Sequence, residues 1–156
     1  MSFKPTRTFA FEKLNNFIEK NLIDYSKLRN FDYGPDNRVN VSCLSPYISH
    51  GIISEIEIIK KSLKKSSFIK IEKFIQEILW RVYWKGWLEL RPNVWLDYLN
   101  DLKKIKENFK NNQNYLSTIE GKTNIDCFDY WLNELKKITI FTTIQECGLL
   151  VFGFSL

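Results

Sequence analysis

The stretch FIQEILWRVYWKGWLEL, Phe74 to Leu90, decides the fold class of this chain. Ile75, Ile78, Leu79, Val82 and Tyr83 recur at helical spacing and cover most of a helix circumference. That pattern predicts a largely buried helix. Set into the apolar cylinder are Glu77, Trp80, Arg81 and Trp84, at i, i+3, i+4 and i+7 on one stripe. A carboxylate and a guanidinium four apart can pair along a helix, and burying them is costly unless each also finds a partner. Two readings fit this pattern. One is an ion pair at the edge of an aromatic core. The other is a pocket wall, with Glu77 accepting hydrogen bonds and Trp80 stacking on a planar ring such as a nucleobase or an isoalloxazine.

Working outward, the helical pattern of this stretch extends from about Phe68 to Leu90 and is stopped by Pro92. On its N-terminal side, Leu14, Phe17, Ile18 and Leu22 form one apolar stripe, predicting a helix from Thr8 to about Leu22. RNFDYGPDNRVN, Arg29 to Asn40, is dense in Gly, Pro, Asn and Asp and reads as an ordered loop. In LSPYISHG, Ser45 is a candidate N-cap, Pro46 the first helical residue and Gly51 the stop. Ser54 with Glu57 predicts a capping box opening SEIEIIKKSLKK. On the C-terminal side, helices are expected from about Val94 to Phe109 and over IDCFDYWLNELKK, where Phe128, Trp131, Leu132 and Leu135 share a face. KNNQNYLSTIEGKTN between them reads as polar. No segment before residue 138 alternates like a strand, so the predicted class is all-α.

Composition sets broad limits. At 156 residues, with 44% hydrophobic and 15% aromatic content, the chain is long enough and apolar enough for one folded domain. The net charge of +5 suits an anionic partner, nucleic acid or a phosphate-bearing cofactor. Cys43, Cys127 and Cys147 are widely spaced without a CxxC and accompany a single histidine, His50, so no metal site is expected. Free thiols point to a reducing compartment, the cytoplasm. The N-terminal segment has no apolar signal-type region.

NVSCLSPY, Asn40 to Tyr47, offers a second place for chemistry. Ser42 and Ser45, with successive backbone N–H groups leading into a proline-started helix, would cradle a phosphate. They equally suit ordinary helix capping. His50 beside Gly51 reads as a structural helix-end residue, and no Walker loop, GxGxxG or catalytic triad spacing is present.

Together these stretches resemble the FAD-binding helical domain of the DNA photolyase/cryptochrome family. The matching pieces, in order, are PTR near the start, Tyr25 with Arg29 and Asn30, S-x-LSPYISHGIIS at Ser42 to Ser54, FIQEILWRVYWKGWLELRP at Phe74 to Pro92, EGKTN at Glu120 to Asn124 and D-x-W-L-x-E-L at Asp129 to Leu135. The combination LSPY-x-x-HG-x-x-S followed by an E-x-x-WR helix is its most specific part, and the resemblance covers about residues 3 to 137. It implies that Val41, Ser42, Cys43, Leu44 and Ser45, joined by Tyr25, hold the FAD phosphates. It further implies that Phe74, Glu77 and Arg81 line the flavin and substrate pocket. Glu77 and Trp80 would be the catalytic pair, the first contacting a pyrimidine dimer in DNA and the second stacking against the flipped-out lesion. Light-driven electron transfer from reduced FAD would then split the dimer.

The chain departs from the family pattern in four ways. It starts directly at the helical domain, without the α/β antenna domain. Cys43 stands where many relatives have a basic or small polar residue, and Asn124 replaces the usual Gly. In place of a continuation like TGYLHNHxRMWFAS, the residues after Lys137 read ITIFTTIQECGLLVFGFSL. Thr139, Thr142, Thr143, Gln145, Glu146 and two glycines make residues 138–156 a poor membrane span. Read one phase later, standard codons for Ile138 to Ser155 can yield NYFHNHTRMWFASIWIFT. The expectation is therefore a partial, truncated domain over residues 1–137, with an out-of-frame tail over 138–156 and activity lost or crippled. Sequencing the encoding DNA around codon 137 tests it. Three function classes follow: a photolyase-like lyase or cryptochrome-like photoreceptor, a flavin-free nucleic-acid-binding module using Trp80, Trp84 and the Lys60–Lys65 run, and a tail-anchored membrane protein.

Overall fold

The computed structural model describes residues 4–34 and 37–139, with side chains to residue 136. Among these residues it is all-α, with eight helices and no strand. They are α1 (Arg7–Lys20), α2 (Tyr25–Leu28), α3 (Ser45–Ser49), α4 (Glu55–Lys65), α5 (Phe68–Glu89), α6 (Pro92–Phe109), α7 (Gln113–Glu120) and α8 (Asp126–Thr139). The chain divides into two compact units, with the boundary inside α5 between Lys85 and Gly86. Apart from Ile138 and Thr139, which continue α8, the apolar tail lies outside the described residues.

The first unit holds the core. Thr6 caps α1, its hydroxyl accepting the Phe9 N–H. Ala10, Leu14, Phe17 and Ile18 face inward and α1 packs against α4. They join Leu22, Tyr25, Leu44, Tyr47, Ile53 and Ile58 with Ile71, Phe74, Ile75 and Ile78 of α5 in one buried cluster. Each large side chain in it contributes about 1.5–3 kcal/mol by leaving water. The expected capping box is present: Ser54 Oγ accepts the Glu57 N–H, and Glu57 Oε2 accepts the Ser54 N–H at 3.0 Å.

Arg7 adds a long-range staple to this cap, pairing with Glu57 and donating to the Ile52 carbonyl at 2.8 Å. The Arg7 hydrogen bond, then those from Ser54, hold the Glu57 carboxyl down at about 2, from an ordinary 4.5. A depressed carboxylate stabilises the fold above its unfolded-state value and loses that contribution on protonation. Denaturation midpoints should therefore fall as pH drops from about 4.5 toward 2. A Glu57→Gln variant should show a shallower fall across that window.

Three expectations need correcting. α5 is not buried around most of its circumference: Ile71, Phe74, Ile75 and Ile78 form one covered stripe, while Leu79, Val82 and Tyr83 are about half exposed. The wide apolar pattern is real, but among the described residues only one stripe of it meets a neighbouring element. Ser45 is not the N-cap of α3: Leu44 holds that place in a helical conformation, with no side-chain cap bond. Finally, KNNQNYLSTIEGKTN contains α7, capped by the Asn112 side chain accepting the Tyr115 N–H and ended by Gly121 in a left-handed conformation.

The second unit consists of the end of α5 with α6, α7 and α8, and α6 and α7 bury no residue. Trp95, Leu96, Tyr98, Leu99, Ile105, Phe128 and Trp131 are all exposed. The clearest ordering device here is Asp129, whose carboxylate accepts from Thr123 Oγ1 at 2.7 Å, Thr123 N at 2.9 Å and Asn124 N at 3.2 Å. These bonds, the hydroxyl's first, hold the Asp129 carboxyl below its usual range. Asn124 has a left-handed φ of 63°, which accounts for an Asn where the resembled family carries Gly.

Candidate functional site

The predicted site residues fall in the first unit, on α2, α5 and the loop entering α3. Tyr25 opens α2 and is 1% exposed. Its ring meets the edges of Phe17 at 5.9 Å and Phe74 at 5.1 Å. Its hydroxyl is buried and has no hydrogen-bond partner among the described residues. Burial, followed by the charge of Glu77 and against that of Arg29, pushes the phenol up to about 12. The structure thus brings Tyr25, Phe74 and Glu77 together.

Glu77 and Arg81 do not pair with each other. Glu77 pairs with Arg29 at 3.1 Å and with Lys73, one turn back on α5, at 3.5 Å. Arg81 Nη2 donates to Ser49 Oγ at 2.6 Å, and its Nε lies 3.8 Å from the Glu55 carboxylate. Tertiary partners replace the Glu77–Arg81 contact, worth only a few tenths of a kcal/mol along a helix, while Glu77 keeps the helical contact to Lys73. The result is a pair of cross-links. Arg29–Glu77 fastens the segment after α2 to α5, and Arg81 ties α5 to the end of α3 and the start of α4. Glu77→Gln should weaken the first cross-link and cost about 1–2 kcal/mol in urea unfolding, because Arg29 is only a quarter exposed. An unchanged midpoint would show that the Arg29 pair does not support the fold.

Trp80 takes no part in these cross-links. It is nearly half exposed, stacks on Trp84 at 6.3 Å and 23°, and meets Tyr83 edge-on at 5.6 Å. This is an aromatic platform on the first unit's end of α5.

The loop Val41–Ser45 is held by a residue that sequence reading passed over. Asn40 is 4% exposed, and its Nδ2 donates to the carbonyls of Leu28 and Phe31, each at 2.8 Å. It locks the end of the long loop against the end of α2. Ser42 and Leu44 are buried, while Val41, Cys43 and Ser45 are half-buried. Cys43 takes a left-handed φ of 53°, and burial pushes its thiol up although Lys13 and Arg38 pull it down. A cleft of about 230 Å³ opens beside this loop, with Val41, Ser42 and Cys43 on one side and Lys13 and Lys20 of α1 on the other. Its basic lining was not evident in the sequence, because Lys13, Lys20 and Arg38 are scattered among ordinary surface charges.

Among the described residues, no group of three or more His, Cys, Asp or Glu side chains could hold a metal ion. None of the described helices is long and apolar enough to cross a membrane. No protein-family model, curated protein or solved structure matches the chain.

Proposed function

We propose that this chain is a flavin-binding helical protein of the photolyase/cryptochrome kind, with light-driven repair of pyrimidine dimers in DNA as its parent activity or, alternatively, a photoreceptor role. The observation that carries this reading is Tyr25. A buried phenol with no partner is costly to keep, and it sits where the resemblance requires a phosphate-binding tyrosine. The other residues that the resemblance names suit the same ligand. Ser42, Cys43 and Ser45 supply hydroxyl, thiol and backbone donors for phosphates. Glu77 pairs with Arg29 and Lys73, and its carboxylate oxygens would also accept hydrogen bonds from a base or flavin edge. Trp80 offers a ring face for a flipped base. FAD, when bound, supplies the photochemical electron; these side chains bind, orient and exclude water.

The test is FAD titration of purified protein, read by flavin fluorescence, with Tyr25→Phe as the diagnostic variant. Removing the unpartnered hydroxyl should stabilise ligand-free protein by about 1 kcal/mol while weakening FAD binding several-fold. A wild-type protein that takes up no flavin would sink the reading.

A second reading, a flavin-free nucleic-acid-binding module, is favoured by the Trp80–Tyr83–Trp84 platform, whose Trp80 and Tyr83 are exposed, and by the lysines of α4. Aromatic faces of this kind stack on unpaired bases. Salt-sensitive binding of single-stranded DNA by colourless protein, lost in Trp80→Ala, would select it.

A further inference from the structure

We infer that the corner between α4 and α5 is a docking surface for an anionic lipid bilayer, which it meets without crossing. Residues 58–71 carry five lysines, Lys60, Lys61, Lys64, Lys65 and Lys70, and no acidic residue. The carboxylates flanking this stretch are engaged: Glu55 with Arg81, Glu57 with Arg7, and Glu72 as acceptor from Gln76. Lys61 lies over the Phe11 ring, whereas Lys60, Lys64, Lys65 and Lys70 are exposed. Apolar side chains are interleaved with them and equally open to solvent. Ile56 is 63% exposed and Leu63 43%, and where α5 begins Phe68 is 51% and Ile69 85% exposed.

The helix places these groups on one surface. α4 buries Ile58 and Ser62, and its opposite face presents Ile56, Lys60, Leu63 and Lys64 at i, i+4, i+7 and i+8. Only Ser66 and Ser67 separate α4 from α5, so Phe68 and Ile69 follow directly on the lysine-bearing last turn. The competing explanation is that Lys64 and Lys65 only complement the negative end of the α4 dipole. It accounts for neither Lys60 and Lys70 nor the exposed aliphatic residues. A nucleic-acid backbone would neutralise the lysines and leave Ile56, Leu63 and Ile69 in water. A bilayer interface takes both: the apolar side chains enter the headgroup boundary while the lysine stems run along it to the lipid phosphates. Clustered lysines are also drawn to the negative potential of such a surface. The stretch holds no arginine, the residue that nucleic-acid recognition favours. This surface involves neither Tyr25 nor Glu77 and is independent of the flavin reading. It takes the α4 lysines that the nucleic-acid reading also uses, and the experiment separates the two.

Purified full chain should co-sediment with phosphatidylcholine vesicles containing about 30% phosphatidylserine, and far less with phosphatidylcholine alone. Lys64→Gln combined with Lys65→Gln should weaken binding at least about fivefold. Ile69→Ser, which leaves the charge untouched, should weaken it at least about threefold. Lys103→Gln combined with Lys106→Gln removes the same charge from exposed positions of α6 and should leave binding unchanged. Helical circular dichroism should be intact in all three variants. Failure to sediment with the anionic vesicles would overturn the surface, as would equal binding to neutral ones. So would equal weakening by the α6 pair, which would reduce the effect to net charge, or binding untouched by Ile69→Ser. Oligothymidine binding that the Lys64 and Lys65 substitutions remove, without vesicle binding, would overturn it in favour of nucleic acid.

Discussion

Phe74→Ala should cost about 3–5 kcal/mol, the largest effect of any single truncation in the site region. Phe74 is 1% exposed and lies 5.1 Å, centroid to centroid, from both Phe17 and Tyr25. Its ring therefore joins α1, α2 and α5 at one point. Alanine would leave a cavity walled by two aromatic rings that cannot close without moving their helices. Against a total stability typical of small domains, about 5–15 kcal/mol, such a loss leaves little reserve. Urea unfolding followed by circular dichroism measures it. Phe74→Leu, which keeps most of the volume, should recover more than half of the loss. A cost below about 1 kcal/mol for the alanine variant would mean that the three-ring contact does not hold the helices together.

Asn40→Asp should be nearly as damaging, at about 2–4 kcal/mol, although it exchanges one amide group for a carboxylate. The amide now donates to two carbonyls at 2.8 Å. An aspartate would instead present an acceptor to two acceptors, in a place with 4% exposure. Asn40→Ala removes the donor without adding charge and should cost less, about 1–3 kcal/mol. Both variants should loosen the chain just before Val41. Backbone hydrogen exchange over residues 41–45 should then accelerate by more than the global loss of stability explains. Uniform acceleration across the first unit would show that Asn40 serves the fold alone and does not position the loop.

How far the sequence could be read depended on the range of the interaction. The capping box of Ser54 and Glu57 was legible because all its partners lie within one turn. The extents of α1, α5 and α6 were legible within about two residues because periodicity and Pro92 are local signals. α7 was missed: its single apolar stripe is short and sits among asparagines, although Asn112 and Gly121 were present as start and stop signals. The burial of α5 was overestimated because periodicity reports which faces are apolar, not which faces meet another element. At the site, the resemblance gave Tyr25 to the phosphates and Phe74 to the pocket wall, and the contact between their rings emerges only in the fold. The Glu77–Arg81 pair was the natural choice from spacing alone. Its replacement by Arg29–Glu77 and Arg81–Ser49 depends on residues brought together only by the tertiary fold. Asn40 and the basic cleft are of the same kind, since their meaning lies in which loop they face.

The position of α5 has a consequence for how the chain is made. The buried cluster of the first unit begins at Ala10 and is closed by Ile71, Phe74, Ile75 and Ile78. Until α5 has left the ribosome, Phe17 lacks its contact with Phe74, and the residues of α1 to α4 in the cluster wait without the stripe that closes it. Long-range closure of this kind is slow relative to helix formation. The first unit therefore completes its core only late in its own synthesis, once α5 emerges, and until then the nascent chain exposes apolar surface to chaperones and to aggregation.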